Sequence, residues 1–96
     1  MLTSMIRSFK CKDTRALYET GKSVRWRACL SVAERRLNSL GQAADLRDLA
    51  NIPGNRLEAL KGERKGEHSI RVNDQWRICF VWRAPDAYEV EIVDYH

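Results

Sequence analysis

The hydrophobic periodicity of this sequence changes at Pro53-Gly54, and this change constrains the fold more than any other feature. Before the break, apolar residues recur about every three to four positions, as in helices; after it, apolar and polar residues alternate in short runs, as in strands. We therefore predict an α+β domain with helices packed on one face of an antiparallel sheet. Residues 1–96 fit a single domain. Met5 is an alternative start, which would make residues 1–4 an N-terminal extension.

The first half of the chain predicts a strand followed by two helices. Residues 5–9 alternate apolar and polar side chains, which is typical of a strand. Asp13 is a suitable N-cap for a short helix that ends at Gly21. Ser31 and Glu34 match a capping box.

That capping box predicts a second helix at residues 32–40. Gly41 is expected to end this helix, because glycine tolerates the left-handed conformation found at helix ends. Residues 46–49, with leucine at both ends, indicate a further short helical turn.

Four strand-like segments follow the break. Turn-forming residues separate them, notably Asn73-Asp74 and Ala84-Pro85-Asp86. The segments span residues 56–61, 68–72, 75–82 and 88–93. Short connections join neighbouring antiparallel strands, so this order predicts a four-strand antiparallel meander.

The segment at residues 75–82 has the strongest strand pattern. Successive side chains of a strand point to opposite faces of the sheet. One face carries large apolar side chains, which we expect to pack on the helices: Trp76, Ile78, Phe80 and Trp82. Arg77 alternates with them, so we expect it on the opposite, open face, as the floor of a site.

Composition and charge narrow the function classes. The 17 lysines and arginines exceed the 13 acidic residues, and the net charge of +4 favours a polyanionic partner. The sequence has no signal-peptide core and no membrane-length apolar run, so we expect a cytoplasmic protein without a membrane partner.

The cysteines and histidines predict neither disulfides nor a metal site. There are three cysteines, an odd number, and their spacing is irregular, which is typical of reduced cysteines: Cys11, Cys29 and Cys79. The two histidines, His68 and His96, offer no metal site, and no cofactor is predicted.

The second half of the chain carries polar residues able to cleave RNA without a metal. Cleavage through the 2′-hydroxyl needs a base for the hydroxyl proton, a cation for the phosphorane and an acid for the leaving 5′-oxygen. The candidates are Glu58, Lys61, Arg64, Lys65, Arg71, Gln75, Arg77, Asp94, Tyr95 and His96. The alternative interpretation is that these are solvated surface groups, with Glu58 and Lys61 forming an exposed ion pair.

Three further positions have competing interpretations. His68 begins a predicted strand, where a structural role is expected. Trp26 lies in a basic linker, where an exposed indole could stack on a base or a partner. Asp94 shares strand parity with the core residues Val90 and Ile92, so the last strand must end or twist before its side chain can reach a site.

Six short motifs occur in order from one end of the chain to the other. They are Ile6-Arg7-Ser8-Phe9, Pro53-Gly54 with Arg56-Leu57, Leu60-Lys61-Gly62, His68-Ser69-Ile70-Arg71-Val72, Gln75-Trp76-Arg77 and Val93-Asp94-Tyr95-His96. Together they resemble the HigB toxins of the RelE superfamily. The resemblance implies a RelE-like fold and ribosome-dependent cleavage of messenger RNA in the 30S decoding site. It also implies neutralisation by a helix-turn-helix antitoxin, HigA. Through HigA the toxin–antitoxin complex binds operator DNA and represses its own operon.

The same resemblance implies roles for individual residues. Lys61 matches the family's catalytic lysine, Arg77 matches the arginine after tryptophan, and residues 94–96 match the terminal triplet. The sequence departs from the common pattern at Glu58, where histidine is common, and at Gln75, where asparagine is common.

We hypothesise that Glu58 or Lys61 assists deprotonation of the 2′-hydroxyl, while Lys61 and Arg77 stabilise the phosphorane. His96 then protonates the leaving oxygen, and Asp94 and Tyr95 position the tail and the substrate. The remaining basic and polar candidates bind RNA or the ribosome: Arg64, Lys65, Arg71, Gln75, Lys10, Lys12, Arg25 and Arg27.

Two other functions fit the same sequence. A ParE-like inhibitor of DNA gyrase would share the fold and the antitoxin but cut no RNA, and it has no evident use for Lys61, Arg77 and the terminal triplet. A non-catalytic RNA- or ribosome-binding module would use the basic residues for binding alone.

Overall fold

The second half of the chain forms an antiparallel sheet in the computed structural model, which describes residues 6–94. Within these residues the sheet has four strands in the order β1-β2-β3-β4, so the predicted meander is confirmed. The strands are β1 (Glu58–Ala59), β2 (Glu67–Arg71), β3 (Trp76–Arg83) and β4 (Asp86–Asp94). β1 is much shorter than the predicted strand at 56–61, because Arg56 has a positive φ of 45° and Lys61 leads into a 3₁₀ turn, Gly62–Arg64.

The first helix, α1 (Lys12–Thr20), ends as predicted and begins differently. Gly21 adopts the left-handed conformation, with φ 72°, and its amide donates to the Leu17 carbonyl. The predicted N-cap role of Asp13 is wrong. Cys11 occupies the N-cap position, and Asp13 lies inside the first turn, where its carboxylate pairs with Arg25 at 3.3 Å.

The second helix, α2 (Leu30–Gln42), is longer than predicted at both ends. The predicted capping box is wrong, because a 3₁₀ turn at Arg27–Cys29 leads directly into the helix and Ser31 lies within its first turn. Gly41 lies inside α2 and does not end it. A Cβ at this glycine would come within 2.6 Å of the Tyr18 hydroxyl, so Gly41 permits close packing of α1 on α2.

A third, short helix and an N-terminal segment complete the described chain. α3 (Leu46–Ala50) matches the predicted helical turn, and the Asp45 side chain caps it by accepting from the Arg47 amide at 2.8 Å. The N-terminal segment runs parallel to β4 through two isolated bridges, Ile6 with Ala87 and Phe9 with Val90. The predicted strand at 5–9 is therefore reduced to these bridges, and Met5 lies outside the described residues.

The core lies between the helices and one face of the sheet. Leu17 and Leu37 of the helices belong to the same fully buried cluster as Ile78 and Phe80 of β3, and Trp76 and Trp82 pack against this cluster half-buried. His68 also lies on this side, stacked on Phe80 with ring centroids 6.1 Å apart, which supports its structural interpretation. No helix within residues 6–94 is both long and apolar enough to cross a membrane.

Trp26 is buried, contrary to the expectation of an exposed stacking platform. Its side chain is 1% exposed and meets the Trp76 ring edge-on, with centroids 5.9 Å apart. The Arg25 guanidinium lies 4.8 Å from the Trp26 ring centroid and covers it from outside. The linker between α1 and α2 is thus anchored in the core by its one tryptophan.

Replacing Trp26 by alanine should lower the free energy of unfolding by about 3–5 kcal/mol, because the change leaves a large cavity against Trp76. Thermal unfolding followed by circular dichroism measures this. Val24 in the same linker is 81% exposed and supplies the control. Val24→Ala should change stability by less than about 0.5 kcal/mol. Equally small effects of both substitutions would contradict the buried position of Trp26.

Candidate active site

The sheet face opposite the helices is organised by the pairing register. Directly paired residues of an antiparallel sheet have side chains on the same face. One row of such residues crosses all four strands: Glu58, Ser69, Cys79 and Glu91. The next row contains Arg71, Arg77 and Val93. Two predicted site residues, Glu58 and Arg77, therefore lie in adjacent rows of this face.

Arg77 lies on the predicted face, but it is not open there. Its side chain is only 8% exposed. The Nε atom donates to the Ser69 hydroxyl at 2.8 Å, and Nη2 donates to the Arg56 carbonyl at 2.6 Å. Nη2 also lies 3.2 Å from Glu58 Oε1. The expectation of an open floor is wrong because a guanidinium has five N–H donors, and β1 and residue 56 fold over Arg77 to supply acceptors.

Glu58 and Lys61 line the same depression. It has a volume of about 360 Å³, and its walls are formed by Glu58, Ala59, Leu60, Lys61 and Arg64. The Glu58 side chain is 51% exposed, so its carboxylate lies between buried Arg77 and solvent. Glu58 thus belongs to two arrangements: it lines the depression together with Lys61, and it forms an ion pair with Arg77.

Arg64 and Lys10 meet at a second carboxylate group beside this depression. Arg64 Nη1 lies 3.1 Å from Glu67 Oε1 and 3.0 Å from Glu91 Oε1, and Lys10 Nζ lies 3.9 Å from the same Glu91 oxygen. The hydrogen bond to Glu91 raises the pKa of Arg64. The positive charges of these two predicted RNA-binding residues are therefore largely balanced within the fold.

The Cys79 thiol is buried beneath this group. Its exposed fraction is 0%. Burial raises the pKa of Cys79 to about 11, because desolvation disfavours the thiolate. Cys11 and Cys29 are half-buried, and all three thiols are free, as predicted.

Arg71, Gln75 and Asp94 lie at the end of the sheet nearest Arg77. Arg71 forms an ion pair with Asp74. Gln75 Nε2 donates to Asp94 Oδ2 at 3.1 Å. Asp94 is exposed and pairs with Trp76, so it lies on the helix-facing side of the sheet, as the alternation in the sequence indicated. Tyr95 and His96 lie outside the described residues.

The other predicted binding residues occupy separate surfaces. Lys65 is exposed directly after the 3₁₀ turn that borders the depression. Lys12 is exposed in the first turn of α1, and Arg27 is exposed at the start of the 3₁₀ turn before α2. Arg25 lies over Trp26 and Trp76 on the helix side of the sheet. The structure therefore brings together Glu58, Lys61, Arg64 and Arg77, and it leaves Arg25 and Arg27 on the helix layer.

Sequence reasoning missed two contributors to this site, Ser69 and the backbone of Arg56. Strand parity places Ser69 on the same face as Arg71 and could have identified it. The Arg56 carbonyl has no such sequence pattern, because its position follows from a positive φ in a connecting segment. Among residues 6–94, no group of three or more histidine, cysteine or acidic side chains is arranged to hold a metal ion.

Comparison with known proteins agrees with this fold. The family described as RelE-like toxin of type II toxin-antitoxin system HigB matches residues 7–96. The chain belongs to this HigB-like toxin family. It is 37% identical over 93 residues to "Endoribonuclease HigB" of Proteus vulgaris, an alignment covering 96% of the chain and 100% of that relative. It is 43% identical over 82 residues to "Toxin HigB-1" of Vibrio cholerae, covering 81% and 84% of the two chains.

In this HigB-like chain, Cys79 should react slowly with iodoacetamide when folded, because the thiolate is the reactive form and burial suppresses it. Pulsed alkylation at about pH 8 with mass spectrometry measures this, with half-buried Cys11 as internal reference. At pH values between 9.0, the ordinary pKa of the thiol, and about 11, its pKa in the folded state, the folded protein keeps the Cys79 proton that the unfolded chain loses. The free energy of unfolding should therefore fall as pH rises through this interval. Equal alkylation of Cys79 and Cys11 would contradict the burial.

Proposed function

We propose that this HigB-like toxin is an endoribonuclease that cleaves messenger RNA in the ribosomal decoding site. The observation that supports it best is the position of Glu58, which lines one depression with Lys61 and forms an ion pair with Arg77. A carboxylate beside two cations supplies a proton acceptor and positive charge without a metal or other cofactor. The Proteus vulgaris relative, aligned over its whole length, is named an endoribonuclease.

Glu58 is the proposed base. An ionised carboxylate accepts a proton directly, whereas a lysine ammonium must first lose one. The 2′-hydroxyl gives its proton to Glu58 and its oxygen attacks the adjacent phosphorus, while the bond from phosphorus to the 5′-oxygen breaks. The products are a 2′,3′-cyclic phosphate and a 5′-hydroxyl.

The ion pair of Arg77 with Glu58 couples this proton transfer to charge stabilisation. When Glu58 takes the proton, it loses the charge that balances Arg77 at 3.2 Å. The negative charge on the phosphorane develops in the same step, so Arg77 exchanges one anionic partner for another. Lys61, in the wall of the same depression, shares the phosphorane charge.

His96 is the proposed acid that protonates the leaving 5′-oxygen, and Asp94 and Tyr95 position the tail and the substrate. Asp94 ends β4 opposite Trp76, the residue next to Arg77. Tyr95 and His96 follow Asp94 in the sequence, and their proposed roles rest on the resemblance of residues 94–96 to the terminal triplet of the HigB toxins.

Binding is assigned to the remaining polar residues. Arg64 in the wall of the depression, Lys65 after the neighbouring turn, and Arg71 and Gln75 at the end of the sheet nearest Arg77 are assigned to the message. A second set contacts ribosomal RNA phosphates: Lys10, Lys12, Arg25 and Arg27. In the cytoplasm, a HigA-like helix-turn-helix antitoxin restrains the toxin and carries it to operator DNA.

The proposed activity should appear only on ribosomes, because holding the RNA strand in a reactive geometry is left to the ribosome. Primer extension on a defined message, with and without purified ribosomes, measures cleavage. We expect defined cuts with ribosomes and little cutting of naked RNA. Equal cutting in both reactions would overturn ribosome dependence. Intact messages together with gyrase-linked DNA breaks would favour a ParE-like inhibitor, and ribosome binding without cuts would favour a non-catalytic module.

Deleting His96 should slow cleavage by roughly 10²–10⁴-fold, because it removes the proposed general acid. Lys61→Ala should also slow cleavage strongly, through lost phosphorane stabilisation. Lys22→Ala is the matched control, since Lys22 is also an exposed lysine and lies outside the walls of the depression. All three variants should keep the wild-type melting temperature. A His96-deleted form that cleaves at the wild-type rate would remove His96 from the mechanism.

A further inference from the structure

Ser69 lies at the centre of the candidate active site although it faces no solvent. Its exposed fraction is 0%. On β2 it pairs with Glu58 of β1 on one side and with Cys79 of β3 on the other. A buried hydroxyl needs a hydrogen-bond partner, and here the partner is Arg77 Nε at 2.8 Å.

A second fixed acceptor meets the same guanidinium at a different nitrogen. The Arg56 carbonyl accepts from Arg77 Nη2 at 2.6 Å, and the Ser69 carbonyl lies 3.4 Å from that nitrogen. Arg56 has a positive φ of 45°, a conformation that few non-glycine residues adopt, and this turns its backbone back toward the sheet. Hydrogen bonds at both Nε and Nη2 fix the plane of a guanidinium, because the group is rigid and flat.

We propose that Ser69 is a positioning residue that, with the Arg56 carbonyl, holds the Arg77 guanidinium in the plane required to meet the phosphorane. This inference rests on the proposed RNA cleavage. The Ser69 hydroxyl contacts no reacting atom and acts through Arg77. Its contribution is a fixed orientation, which lets Arg77 change partners from Glu58 to phosphate without reorganising its other hydrogen bonds.

Ser69→Ala tests the proposal, because it removes the acceptor and leaves the backbone unchanged. We expect kcat for ribosome-dependent cleavage to fall about 10- to 100-fold, the effect of a misplaced catalytic group. KM should stay within about twofold, since phosphate contacts elsewhere supply the binding. Ser69→Thr keeps a hydroxyl and should restore most of kcat. Ser69→Cys fills the same space with a weak acceptor and should be as slow as Ser69→Ala.

Thr14→Val is the matched structural control. Thr14 is also fully buried, and its hydroxyl accepts from the Ile92 amide at 3.0 Å, on the helix side of the sheet. Its loss should lower the melting temperature and leave kcat unchanged at a temperature well below unfolding. A merely structural Ser69 would behave in the same way.

The Arg77 Nε–H resonance gives a readout that does not depend on activity. In a nitrogen–proton spectrum it should be protected from exchange in wild type, in Ser69→Thr and in Thr14→Val, and it should lose protection in Ser69→Ala and Ser69→Cys. If Ser69→Ala does not fold, the comparison of Ser69→Cys with Ser69→Thr replaces it.

Two results would overturn the positioning role: a kcat for Ser69→Ala and Ser69→Cys equal to that of Thr14→Val, or a folded Ser69→Thr as slow as Ser69→Cys. Failure of the wild type to cleave messages on ribosomes would instead overturn the proposed function, and the role of Ser69 in cleavage with it.

Discussion

The buried guanidinium of Arg77 is the interaction on which the candidate site depends. A charge that is 8% exposed is costly unless it is paired and hydrogen-bonded. Its acceptors come from three places: the carboxylate on β1, the hydroxyl on β2 and a backbone carbonyl before β1. β1 has only two residues, so two ladder pairs alone would hold it weakly. Arg77 ties this short strand to the middle of the sheet and thereby builds the wall of the depression.

The distribution of charge follows from the same packing. A net charge of +4 suggests a uniformly basic surface, but several basic side chains near the site are balanced by carboxylates. Glu91 forms ion pairs with both Arg64 and Lys10, and the pair with Lys10 joins the N-terminal segment to the sheet. These partly exposed pairs contribute about 0–1 kcal/mol each to stability. Lys61 in the wall of the depression and Lys65 after the neighbouring 3₁₀ turn are exposed cations, and the proposed function assigns RNA phosphates to them.

The carboxylate of Glu58 has a physical consequence for the site. Glu58 carries a negative charge into contact with Arg77, which a neutral imidazole at that position would not do. The site therefore holds its own anion before substrate arrives. Such an arrangement balances the buried arginine in the free protein. In the proposed mechanism it also links release of Arg77 to protonation of Glu58, so that base and cation act as a pair.

The sequence by itself determined the α+β class, the four-strand meander, which side chains of β3 face the helices, and the end of α1 at Gly21. Hydrophobic periodicity and glycine conformation are local properties of the chain, so they can be predicted from the sequence. It also brought Glu58, Lys61 and Arg77 into one candidate set. Only the tertiary structure decided that Trp26 is buried, that Asp13 and Ser31 do not cap helices, and that Arg77 is covered. Whether a residue caps a helix depends on the path by which the preceding chain enters that helix. The covering of Arg77 depends on hydrogen-bond acceptors at Ser69 and Arg56, which are 8 and 21 residues away in the sequence. Pairing across strands creates those contacts: strand parity indicates the face on which Ser69 lies, but not its hydrogen bond with Arg77.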